Sequence, residues 1–117
     1  MELVAFLGED KENWGQVTGL INNEDWEKIV LIKSKSATSY LSPKKVESIV
    51  IDSSKPLTEL VENLLKELKR KFKGFEAHLS IASGNGKEHM ALISALMKVP
   101  VGIRLVVFTK KGVEIIN

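Results

Sequence analysis

The chain is expected to form a three-layer α/β fold around a mainly parallel sheet of about six strands, closed by a C-terminal antiparallel hairpin. Three observations support this. Short apolar runs alternate with helical periodicities along the chain, the pattern of strands joined by crossover helices. The run Lys28 to Lys33 (Lys-Ile-Val-Leu-Ile-Lys) is apolar at every interior position, as in a strand covered on both faces. Near the end, Lys110-Lys111-Gly112 supplies turn chemistry between two more apolar runs.

The elements follow in order. Glu2 to Leu7 reads as a short buried strand stopped by Gly8. Trp14, Val17, Thr18 and Ile21 recur at helical spacing until Asn22-Asn23 closes the segment. Lys28 to Lys33 is the second strand. Ser34 to Lys45 turns polar without clear periodicity and reads as a loop with at most a helical turn. Val46 to Asp52 is the third strand, and Ser53, Ser54 and Pro56 open a helix. Leu57, Leu60, Val61, Leu64, Leu65, Leu68 and Phe72 trace its apolar face until Gly74 stops it. Phe75 to Ile81 is the fourth strand, and a helix runs from about Lys87 to Lys98 with almost no polar face. Such a helix needs cover on a second side, and a dimer partner is one source of it. Ile103 to Phe108 and Val113 to Ile116 form the closing hairpin.

Composition narrows the function. The 117 residues fit one domain, residues 1–117, and 44% hydrophobic with 27% charged residues is ordinary globular usage. The absence of cysteine excludes disulfides, thiolate metal sites and thiol nucleophiles. His78 and His89 do not make a typical metal site alone, so neither metal nor cofactor is expected. No apolar run reaches membrane-spanning length, and Glu2 with Gly8-Glu9-Asp10 interrupts any leader pattern, so a cytoplasmic location is expected. Lysine greatly outnumbers arginine and glutamine is nearly absent, a balance found in thermophilic proteins. A net charge of +2 does not argue for duplex DNA, and Lys66 to Lys73 reads as a solvated helix C-terminus favoured by the helix dipole.

The most informative stretch is Leu79 to Ile93, where an apolar run ends in Ser83-Gly84-Asn85-Gly86-Lys87 and a helix begins. A strand feeding a helix through such a turn points backbone N–H groups outward at the positive end of the helix dipole, and Lys87 adds a full charge. A phosphate finds both geometry and charge there; the plainer alternative is a turn that needs glycine for sterics alone. In parallel sheets ligands sit beyond the carboxyl ends of the strands. Gly8 to Asn13, Ser34 to Thr38 and Ser83 to His89 therefore converge, offering hydroxyls, amides, an asparagine and a lysine suited to phosphate and ribose. Glu9 and Asp10 read either as metal ligands or as a cap complementing a helix dipole.

Familiar nucleotide motifs do not fit. A Walker A loop places glycine where this chain has Ile81 and Ser or Thr where it has Glu88. The first strand is followed by one glycine and two acids rather than a dinucleotide fingerprint, and Ser83 lacks the frame of a hydrolase elbow.

The order of elements, together with Ile81-Ala82-Ser83-Gly84-Asn85-Gly86-Lys87-Glu88-His89-Met90, resembles the CRISPR-associated Rossmann fold (CARF) family. Members typically carry a turn of Thr-Gly-Gly-Thr-Lys-x-Met character after the fourth strand, followed by an alanine- and leucine-rich helix. Ser83, Gly84, Gly86, Lys87 and Met90 fall on that pattern with one extra residue before the methionine; Asn85 replaces a glycine, and the helix between the second and third strands is shortened. The resemblance implies a Rossmann-like homodimer that binds cyclic oligoadenylate, a ring-shaped RNA second messenger of antiviral CRISPR signalling, where two pockets merge, with a separate effector protein as a further partner. In that picture Ser83, Gly84, Asn85, Gly86 and Lys87 hold phosphates, while Gly8, Glu9, Asp10, Ser34 and Ser36 approach ribose or adenine.

Three functions stay open at this point. The first is a sensor of the messenger. The second is a metal-independent ring nuclease, in which the ligand's own 2′-hydroxyl attacks in line. There Lys87 supplies charge, Ser83 orients and His89 moves the proton. The third is an interaction module that keeps the fold without a nucleotide.

Overall fold

The structure is a computed structural model that describes residues 1–117. Its elements are β1 (Glu2–Leu7), α1 (Trp14–Asn22), β2 (Lys28–Ser34), β3 (Glu47–Ile51), α2 (Leu57–Leu68), β4 (Glu76–Ser80), α3 (Gly86–Lys98), β5 (Gly102–Thr109) and β6 (Gly112–Ile115). The six strands form one sheet in the order β3-β2-β1-β4-β5-β6. All pairings are parallel except the β5–β6 hairpin. This is the expected α/β, Rossmann-like architecture. The strand order reverses between β1 and β4, the kind of switch point beyond whose carboxyl edge ligands bind in such sheets.

The period-two alternation of the central strands divides their side chains between two cores. Val4 and Phe6 of β1, Val30 and Ile32 of β2 and Leu79 of β4 pack beneath α2 and α3. Leu3, Ala5, Leu7, Ile29 and Leu31 face Val17, Leu20 and Ile21 of α1. That second face is only partly helical. A single 3₁₀ turn, Lys35–Ala37, stands between β2 and β3, and Ala37, Tyr40 and Trp26 complete the cover. The Tyr40 and Thr18 hydroxyls share a 2.8 Å hydrogen bond, and the Trp14 ring meets Tyr40 edge-on, which straps the loop to α1.

Two expectations are adjusted. The helix expected to reach Gly74 ends at Leu68, because Glu2, buried in β1, accepts hydrogen bonds from the Lys73 and Gly74 amides (3.1 and 2.8 Å) and draws the chain back to the sheet. The second cover of α3 comes in part from within the chain, where Leu60, Val61 and Leu64 of α2 meet Ala91, Leu92 and Ala95. Met90 and Met97 remain exposed. No helix is long and apolar enough to cross a membrane.

Candidate functional site

At the carboxyl edge the turns after β1 and β4 are locked together. Asp10 is the hub. Its Oδ1 accepts from the Ser83 hydroxyl (2.7 Å) and the Gly84 amide (2.9 Å), and its Oδ2 accepts from the Asn13 side chain (2.8 Å). Ser83 in turn accepts from the Gly8 amide at 2.9 Å. Partial burial raises the Asp10 carboxyl, but the hydrogen bonds from Asn13, Ser83 and Gly84 outweigh it and hold it below the ordinary range. The backbones meet so closely that a Cβ on Gly8 would lie 2.7 Å from the Gly84 Cα. Gly84 itself holds φ +104°, and a Cβ there would lie 2.7 Å from the Phe6 ring.

This geometry corrects part of the expected site. Ser83 has no exposed surface and its hydroxyl is engaged on both sides, so it braces two turns instead of facing a phosphate. Gly8 is buried, and Asp10 is a cross-loop anchor whose side chain makes no helix cap. His89 donates from Nε2 to the Ser83 carbonyl at 2.7 Å and lies edge-on to Phe6, which commits that nitrogen to the turn.

The start of α3 is closed by a capping box that sequence reading did not identify. Asn85 accepts from the Glu88 amide at 2.9 Å, and Glu88 Oε1 accepts from the Asn85 amide at 2.9 Å. Glu88 is buried, and its other oxygen accepts from the Ser53 hydroxyl in the loop after β3. Of the turn's donors, the amides of Gly86 and Lys87 have no partner within the chain. The ammonium of exposed Lys87 donates to the Ser53 carbonyl at 2.9 Å.

Next to this lip opens a cleft of about 260 Å³ with no hydrophobic residue in its lining. Glu9, Ser34, Ser36 and Asn85, all expected at a site, line it. Lys35, Asp52, Ser53, Ser54 and Glu88 line it too; the sequence pointed to the loops after β1, β2 and β4, and the loop after β3 was missed. Its only signal was Ser53-Ser54 at a strand's carboxyl end, read solely as a helix start. Ser34 and Ser36 share a 2.7 Å hydrogen bond. The Ser54 hydroxyl and amide donate to Asp52, and Lys35 lies 3.4 Å away, which together hold the Asp52 carboxyl down at about 2. Three carboxylates and four hydroxyls against one ammonium make the cleft acceptor-rich, while the adjoining lip is cationic. Such a pair of surfaces takes a ligand with an anionic group at one end and hydroxyl or amino donors at the other.

No protein-family model matches the chain, and no curated protein matches it.

Proposed function

We propose that the protein is a binding module for a cyclic oligoadenylate, with the ring held at the carboxyl edge of the sheet in a homodimer. One observation carries the reading: the unpaired Gly86 and Lys87 amides fall between Asn85 and Glu88, which line the acceptor-rich cleft, and the Lys87 ammonium bonds to Ser53 of the same lining. A phosphodiester oxygen accepts hydrogen bonds from those amides and is neutralised by the lysine. The adjoining ribose hydroxyls and the adenine amino group donate to Ser34, Ser36, Glu9 and Asp52. Exposed Met90 and Met97, about two turns apart on one face of α3, give a dimer an apolar seam along that helix.

The nuclease reading has less support, since Ser83 is buried and His89 Nε2 is taken by a backbone carbonyl. A non-nucleotide interaction module is favoured by a different observation: Asp10 and the capping box already satisfy the Gly84, Asn85 and Glu88 amides without any ligand. Calorimetric titration with cyclic tetra- and hexa-adenylate separates these readings. Heat with either ring supports the binder, and chromatography of the recovered ligand tests for cleavage. No heat with both rings leaves the interaction module.

A further inference from the structure

Residues 69–75, between the end of α2 and the start of β4, form a ledge at the amino edge of the sheet, opposite the candidate site. Of the cations from Lys66 to Lys73, only Lys66 sits in the last turn of α2; Arg70, Lys71 and Lys73 lie beyond it, where the hold of the helix dipole has fallen off. Lys28 donates to the Lys71 carbonyl at 2.6 Å, and Lys28 and Lys71 share one carboxylate, Glu47. Lys69, Arg70 and Lys73 are exposed and have no ion-pair partner in the chain. Neighbouring Lys66 and Glu67 cancel. With Glu2, which accepts from the Lys73 and Gly74 amides, five cations face two carboxylates, an excess of three on a chain whose net charge is +2. At the end of the ledge Phe75 is 92% exposed. Its backbone is held, because the Phe75 carbonyl accepts from the Gly102 amide at 2.7 Å and the Gly74 amide is bonded to Glu2. Phe75 also lines a cleft of about 260 Å³ together with the carboxylates of Glu2, Glu27 and Glu76. Glu27 pairs with the amino terminus and Glu76 with Arg104, so those two add no net charge to the edge.

We propose that this ledge binds a single-stranded nucleic acid. Phosphates lie on Lys69, Arg70 and Lys73, and an unpaired base stacks on the Phe75 ring. The edge of that base turns into the cleft, where its amino group donates to the Glu27 and Glu76 carboxylates. The same features disfavour other anions. A duplex keeps its base faces stacked and leaves the ring without a partner. An acidic protein segment brings its carboxylates against the three in the cleft. A lipid surface is held by buried apolar area, and a ledge with one exposed ring offers little of it.

The test uses the full chain and a fluorescein-labelled oligocytidylate of about ten nucleotides, a length within the usual single-strand site size. Binding is followed by anisotropy across a salt series and by amide shifts. Saturable binding with shifts centred on residues 69–78 is the expected result. Phe75→Ala, which removes an exposed ring, is expected to weaken binding about tenfold. The double variant Lys69→Ala with Arg70→Ala is expected to lower the slope of log affinity against log salt by about 1.4. Absence of binding, equal binding of a duplex of the same length, full affinity in Phe75→Ala, or shifts centred on the turn from Ser83 to Glu88 overturns the proposal. So does tighter binding to phosphatidylserine vesicles that is lost in the same variants, which assigns the ledge to a lipid surface.

Discussion

The Asp10 carboxylate and the Ser83 hydroxyl, 73 positions apart in the chain, are joined by a 2.7 Å hydrogen bond across the switch point between β1 and β4. Because Ser83 also receives the buried Gly8 amide, Ser83→Ala leaves that donor unpaired and takes a partner from Asp10. Leaving a buried donor unsatisfied costs about 1–3 kcal/mol. Thermal unfolding of Ser83→Ala is expected to fall by several degrees. An unchanged melting temperature would contradict the bracing role.

Gly84→Ala tests the same junction by sterics. The new Cβ is placed at φ +104° and 2.7 Å from the Phe6 ring, with His89 Nε2 at 2.9 Å. Backbone strain of this kind costs about 1–3 kcal/mol before any clash is counted. Denaturant titration is expected to show a lower midpoint with an unchanged slope. Gly86→Ala, where a Cβ meets nothing within 4 Å, is expected to leave the midpoint close to that of the native chain.

Much of this fold was legible in the sequence, because buried parallel strands and an amphipathic helix announce themselves by period. Lys28 to Lys33 is the plainest case: Ile29 and Leu31 fill one core, Val30 and Ile32 the other. The end of α2 was not legible, since it depends on Glu2 reaching the Lys73 and Gly74 amides from the other end of the chain. The site was half legible for the same reason. Local pattern marks Ser83-Gly84-Asn85-Gly86-Lys87 as a turn before a helix, but nothing local shows that Asp10 takes its first donors. Nor does it show that Glu88 caps the helix or that Ser53 and Asp52 reach the cleft.

Acid sensitivity follows from two lowered carboxyls. Hydrogen bonds from Ser54, together with Lys35, hold Asp52 at about 2 against an ordinary value of 3.8, and Asp10 is lowered as well. A depressed carboxyl favours the folded state at pH values above its unfolded pKa, and that contribution is lost as pH falls through the folded value. Asp52→Asn is expected to flatten the stability curve between pH 3.8 and about 2, so that stability near neutrality exceeds the acid limit by less than in the native chain. An acid limb as steep as that of the native chain would contradict this assignment.

His78 acts on the near-neutral limb. It lies in β4 against Trp26, and burial lowers its pKa below 6.5 despite the opposing pull of Glu76. In the window below pH 6.5 the unfolded chain binds a proton that the folded chain refuses, so stability falls as pH drops through that window. His78→Gln is expected to remove this slope, read as the dependence of the urea midpoint on pH between neutrality and mild acid. Retention of the slope would assign it to another group.

The most direct measurement is calorimetric titration of the native chain and of Lys87→Ala with cyclic tetra- and hexa-adenylate, with oligomeric state followed by sedimentation. Lys87 is exposed and its ammonium touches only the Ser53 carbonyl, so its loss should spare the fold. One ring is expected to bind per two native chains, with at least tenfold weaker binding by a folded Lys87→Ala. That loss corresponds to about 1.4 kcal/mol. No heat from either ring with a properly folded native chain, or equal affinity in the variant, would contradict the proposed function.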